Sequence, residues 1–173
     1  MPPRSRSSNK SRTRTLTHLD ARGQARMVGI GEKPISARSA IARGSIRMLP
    51  ATLALLQRGE AAKGDVLAVA RVAGIQAAKR TPELIPLCHA IALTHSEVAF
   101  SPAADGGGLE IEASVSALDR TGAEMEALTA VAVAALTVYD MLKSIDRGMT
   151  IERIALQEKR GGKSGVWKRD RKR

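Results

Sequence analysis

The sequence predicts an α+β fold, an antiparallel sheet with helices on one face. Three observations carry this reading. Residues 38–48 and 109–118 alternate apolar and polar side chains with the period of a half-buried strand. Residues 122–145 are rich in Ala, Leu, Val and Met and run far too long for a strand. The predicted elements then follow the order strand, helix, strand, strand, helix, strand. That order is the split βαββαβ, or ferredoxin-like, arrangement.

Each element has a local reason. In the first strand Ala40, Ala42, Gly44, Ile46 and Met48 share one parity, with Arg43, Ser45 and Arg47 on the other. Pro50 closes it, and Ala51 to Arg58 suits a short helix stopped by Gly59. Asp65 is positioned to cap a second helix over Val66 to Lys79. Gly74 inside that helix costs about 1 kcal/mol relative to Ala and invites close packing. Pro82 and Pro86 should end the helix and force extended backbone. Ile91 to Phe100 and Leu109 to Leu118 should pair as a hairpin across the turn at 102–108. Gly148 is placed to end the long helix, and Thr150 to Glu158 is a final strand anchored by Ile151, Ile154 and Leu156.

The 173 residues suffice for one domain with a real core. Trp167, Tyr139 and Phe100 are the only aromatic residues, so the core must be aliphatic. The net charge of +11 is uneven. Five bases and no acid lie in residues 1–19, and eight bases against Asp170 lie in 159–173. The remaining 15 bases and 16 acids nearly cancel. A neutral body with two basic tails and few stacking platforms argues against a specific nucleic-acid partner. The longest run of mainly apolar residues, Ala130 to Val138 with Thr137 within it, is short of a membrane span. Cys88 is the only cysteine and the N-terminus lacks an apolar signal core, so a cytoplasmic location is expected.

Several residues could carry chemistry. Glu126, Thr129, Val133 and Asp140 fall in one stripe of the long helix. An Asp near a helix C-terminus opposes the macrodipole. Lys143 answers it either as a plain local ion pair or as the partner in an acid–base couple facing a cleft. Lys63 precedes a helix start, where a cation is also unfavourable. It is either a solvated loop residue or one half of an anion site. Cys88 and His89 are neighbours in chain expected to be extended, so they make a poor thiolate–imidazole pair. Cys88 reads as a small apolar residue and His89 as a candidate ligand contact. Three histidines and one cysteine show no metal-ligand spacing. Gly161-Gly162-Lys163-Ser164-Gly165 ends like a phosphate loop, but Gln157 stands where its first Gly should be. It is either a plain linker or a loop that delivers Lys163 to an anion.

Taken together, several stretches resemble the molybdenum cofactor biosynthesis C protein (MoaC) family, the cyclic pyranopterin monophosphate synthases. They are Leu16-Thr17-His18, Lys63-Gly64-Asp65-Val66, Ala73-Gly74-Ile75-Gln76-Ala77-Ala78-Lys79-Arg80-Thr81 and Leu84-Ile85-Pro86-Leu87-Cys88-His89. Further along come Thr121-Gly122, Glu124-Met125-Glu126-Ala127-Leu128-Thr129-Ala130, Tyr139-Asp140-Met141, Lys143 and the Gly161–Gly165 loop. The resemblance spans residues 15–166 and leaves 1–14 and 167–173 as basic tails. It departs at Ala90, where the family usually has Pro, at Gly29 for a common Asp, and at Arg120 for a usual Lys.

The resemblance implies a lyase that converts 3′,8-cyclo-7,8-dihydroguanosine triphosphate to cyclic pyranopterin monophosphate and pyrophosphate. The substrate would come from the radical enzyme of the same pathway. It implies a homohexamer, a trimer of dimers, with active sites at subunit interfaces. Carried over by position, Asp140, Lys143 and Lys63 become the catalytic set. Leu87, Cys88, His89, Met125, Glu126 and, less firmly matched, Glu124 line the substrate pocket, while Arg38, Lys79 and Lys163 hold the triphosphate. No resident cofactor or protein metal site is implied, and any Mg²⁺ would arrive bound to the substrate phosphates. Two other readings differ in class. A nucleic-acid module would lose its function with its tails, and an inactive scaffold would not need Asp140.

Overall fold

The computed structural model describes residues 22–170. The matched stretch Leu16-Thr17-His18 and the tail at 1–14 lie outside them. Five strands pair in the order β2-β3-β1-β4-β5. These are β1 (Ser36–Arg47), β2 (Leu93–Pro102), β3 (Gly108–Asp119), β4 (Thr150–Arg160) and β5 (Trp167–Lys168). All neighbours run antiparallel. The two strands flanking β3 are therefore parallel to each other, and the first four strands form the split arrangement expected. The helices are α1 (Pro50–Gln57), α2 (Val66–Lys79), α3 (Thr81–Leu84) and α4 (Glu124–Leu142).

Alternation decides which face is buried. Ala40, Ala42 and Ile46 of β1 and Leu109, Ile111, Ala113, Val115 and Ala117 of β3 form the apolar face under α2 and α4. Arg43, Glu110 and Glu112 point the other way, and Arg43 pairs with Glu112 at 2.5 Å. With aromatics scarce, small residues bring the layers close. A Cβ on Gly74 would stand 2.9 Å from the Ala130 carbonyl, so α2 and α4 touch backbone to backbone there. A Cβ on Gly44 would stand 2.7 Å from Val131 Cγ1, which seats α4 on β1. By length and composition alone α4 could cross a membrane, a test that a core helix passes as well. Its apolar stripe is instead buried in this core: Ala127, Ala130, Val131, Ala134, Val138 and Leu142 are all enclosed.

Local signals fixed some boundaries and misled at others. The α2 span matches expectation because its cap is local: Asp65 accepts from the Ala68 N–H at 2.9 Å. Pro50 begins α1 rather than closing β1, as its fixed φ suits a first helical turn. Pro82 likewise opens the short α3 instead of forcing extended chain. At Pro86 the chain turns, and the Cys88 N–H donates to the Ile85 carbonyl at 3.0 Å. The long helix ends at Leu142, earlier than Gly148. Beyond it the buried Asp146 accepts from Leu49 N–H, Thr52 Oγ1 and Gly148 N–H, tying the end of α4 to the start of α1. Arg153 adopts φ 55° at a bulge in β4, which explains the uneven spacing of its anchors. Ile151 pairs with Ile46 and Leu156 with Ala42 on one face, with Ile154 beside Gly44. Trp167 and Lys168, expected in a tail, pair with Lys159 and Glu158.

Candidate active site

α4 positions three groups of candidate residues. Asp140 lies in its last turn, with Lys143 at its C-cap. Lys143 Nζ meets Asp140 Oδ1 at 2.7 Å, and Lys63 Nζ meets Oδ2 at 3.6 Å. Lys63 also donates to the Asp140 carbonyl at 3.0 Å. This resolves the expected conflict at Lys63 in an unexpected way. Its amine leaves the N-terminus of α2 and sits at the C-terminal, negative end of α4. All three side chains are about half exposed. The Lys143 hydrogen bond and charge, with Lys63 behind them, hold the Asp140 carboxyl below its ordinary range. Asp140 in turn raises the Lys143 ammonium. The result is an anion between two cations, open to an incoming molecule.

A different pair stands near the start of the helix. Glu126 is 1% exposed, and its Oε2 has no hydrogen-bond partner. Its Oε1 lies 3.7 Å from Cys88 Sγ. Burial raises the Glu126 carboxyl, and burial together with Glu126 pushes the Cys88 thiol to about 11. Cys88 is therefore a neutral thiol near neutral pH, in line with its reading as a small packing residue. Leu87 and His89 flank it, half-buried, and Met125 is 37% exposed on the helix surface. Lys79 and Glu126 line a cavity of about 150 Å³ with Ala78, Pro82, Ala90, Ile91 and Leu93. Ala90, the departure from the family pattern, thus stands in this cavity wall.

The third group is cationic. Arg38, Lys163 and Glu124 line a cavity of about 370 Å³ together with Lys33, Arg120, Thr121, Gly122, Lys159 and Ser164. Arg38 is fixed from below, donating through Nε and Nη2 to the Asp119 and Arg120 carbonyls, each at 3.3 Å. Arg120 also clasps the carbonyls of Gly31 and Lys33. Lys159 Nζ pairs with Glu124 Oε1 at 2.5 Å. Five bases around one carboxylate leave an excess of positive charge suited to a polyanion. Among the described residues, no group of His, Cys, Asp and Glu side chains is arranged to hold a metal ion.

One chain brings some of the predicted residues together and separates others. Asp140, Lys143 and Lys63 meet. Cys88 and Glu126 meet, with Leu87 and His89 adjacent in the chain. Arg38, Lys163 and Glu124 share a cavity, while Lys79 lines a different one with Glu126. The trio of Asp140, Lys143 and Lys63 lies apart from the rest. At about 1.5 Å per residue, Glu126 and Asp140 are separated by about 21 Å along the helix. Sequence reasoning missed Lys33 and Lys159, which carry no motif and reach the cavity only through strand pairing and the Arg120 clasp. It also missed Asp119, whose carboxylate accepts from Ala92 and Arg120 N–H and is thereby lowered. The clean alternation of β3 had pointed to its end without singling it out.

Comparison with known proteins shows the family. The sequence matches the MoaC family over residues 27–162. The cyclic pyranopterin monophosphate synthase of Thermomicrobium roseum is 66% identical over 155 residues, covering 90% of this chain and 93% of that protein. Proteins of the same name from Chloroflexus aurantiacus and Chloroflexus aggregans are 60% and 61% identical, each over 90% of this chain and 96% and 94% of their own. With a family match over most of its length and relatives this similar along nearly their whole chains, the protein belongs to the MoaC family.

Proposed function

We propose that this protein is a cyclic pyranopterin monophosphate synthase of molybdenum cofactor biosynthesis, acting in the cytoplasm on 3′,8-cyclo-7,8-dihydroguanosine triphosphate. The observation that carries the reading is Asp140 held between Lys143 and Lys63. Rebuilding a purine-derived ring into a pterin needs repeated proton transfers. An ionised carboxylate beside a protonated amine offers an acceptor and a donor side by side. The five-base cavity suits the triphosphate, and fixed cations there would neutralise the charge developing on departing pyrophosphate. Arg38 and Lys163 serve that role, and Lys79 adds a cation from the cavity beside Glu126. Leu87, Cys88, His89, Met125, Glu126 and Glu124 shape the pocket for the ring system. Any Mg²⁺ enters on the substrate phosphates.

The 21 Å between the ends of α4 supports a site shared by two copies, the catalytic end of one meeting the binding end of another. The outer surfaces of α2 and α4 also expose Val69, Val72 and Leu136, apolar residues suited to contact between copies. A homohexamer built as a trimer of dimers satisfies both. The test is incubation with the cyclised triphosphate, followed by assays for pyrophosphate and for the oxidised pterin. Absence of both products defeats the assignment. Mixing Asp140→Asn with His89→Ala chains tests the shared site. Random two-fold pairing restores about a quarter of wild-type activity if each site draws on two copies, and none if it draws on one.

A further inference from the structure

We infer that Arg169, acting through the short strand β5, is a positioning residue that holds Lys163 in the cationic cavity. The inference rests on the proposed polyphosphate substrate. Lys163 rides on a loop whose glycines adopt left-handed backbone: φ is 95° at Gly161, 73° at Gly162 and 62° at Gly165. A loop of this composition is costly to fix, so an ordered lysine needs anchors on both sides. The near side has them. Gly161 and Gly162 press so closely on the Ala37 carbonyl and the Arg38 guanidinium that neither has room for a Cβ. Within the loop the Gly165 N–H donates to the Gly162 carbonyl at 3.1 Å.

The far side depends on β5. Two residues make a weak strand by themselves. Arg169 prolongs the attachment twice: its N–H donates to the Gln157 carbonyl at 2.8 Å, and its Nε to the Leu156 carbonyl at 2.7 Å. Lys168 adds an ion pair to Glu158 at 3.2 Å, and Trp167 pairs with Lys159, itself a cavity residue. Arg169 does not line the cavity, so it acts through the loop. The family match ends at Gly162, so Lys163 and its far anchor lie beyond it.

In the full-length chain, Arg169→Ala is expected to weaken binding of inorganic triphosphate about fivefold by calorimetry and to raise KM for the cyclised triphosphate equally, with kcat nearly unchanged. Arg169→Gln keeps an N–H donor without the charge and should restore most of the affinity. In a Lys163→Ala background, Arg169→Ala should add no further loss. Undiminished triphosphate binding in Arg169→Ala overturns the inference, as does a full additional loss in the Lys163→Ala background. Triphosphate binding is read without turnover. A wild-type chain that binds triphosphate but makes no pterin therefore defeats the proposed activity and leaves the role of Arg169 to be decided by affinity alone.

Discussion

Asp140 and Glu126 occupy the same helix about four turns apart, yet their carboxyls live under opposite conditions. Asp140 is open to water and flanked by two ammonium groups, which lower its pKa. Glu126 is enclosed, with a thiol at 3.7 Å and one oxygen unpartnered, and burial raises it. The residue types are nearly the same, and the surroundings set their chemistry. One end of α4 presents a stable anion with a proton donor at hand. The other presents a carboxyl that keeps its proton more readily, beside a cavity. One continuous helix, Glu124–Leu142, holds the two ends apart.

The strongest way to break this contrast is Asp140→Asn. Loss of the anion should reduce product formation by about 1,000-fold, within the range for general acid–base catalysis. Asp140 is exposed, so the melting temperature should hold within a few degrees. Wild-type turnover in this variant would show that the exposed end takes no part in the chemistry. Next in size is the reactivity of Cys88. Its thiol is pushed to about 11 from an ordinary 9.0, so alkylation by iodoacetamide at neutral pH should run up to about 100-fold slower than for a free thiol. Rapid labelling would mean the buried end is not as closed as drawn.

Lys143→Ala sharpens the exposed end. Without its main partner, the Asp140 carboxyl should rise toward its ordinary 3.8, and the acid limb of the residual pH–rate profile should move to higher pH. The linkage to stability has a definite sign. A lowered carboxyl contributes stability above its unfolded value, and that contribution is lost as pH falls through the folded one. Glu126 behaves oppositely. Its raised carboxyl binds a proton more tightly in the fold, so stability is lost as pH climbs from about 4.5 through the raised value. Glu126→Gln should flatten that slope and raise the melting temperature at pH 8 by about 2–4 °C. An unchanged slope in thermal melts across pH would show that the Glu126 side chain is hydrated.

Much of the fold was legible because its signals are local. The parity of β3 gave its buried face, and Asp65 marked the start of α2. What escaped was decided at a distance. Pro82 looks like a helix terminator until Thr81 and Glu83 are seen to form a new turn with it. Asp146 ties down the start of α1 from the far side of the chain. β5 is two residues without alternation, and it exists because β4 offers an edge. The site follows the same rule. Asp140, Lys143 and the Cys88-His89 stretch stand out in the sequence. The cationic cavity, by contrast, draws Lys33, Arg38, Arg120, Lys159 and Lys163 from three separate parts of the chain.

The backbone contact at Gly74 has a consequence for how such a protein can change over time. It locks α2 against α4 in one axial register, and so fixes Lys63 and the Cys88 turn relative to the two ends of α4. The helix becomes a ruler. One inserted residue would lengthen it by about 1.5 Å and swing everything downstream by about 100°. The β2–β3 turn can take insertions without moving either end, but the count between Glu126 and Asp140 should stay constant.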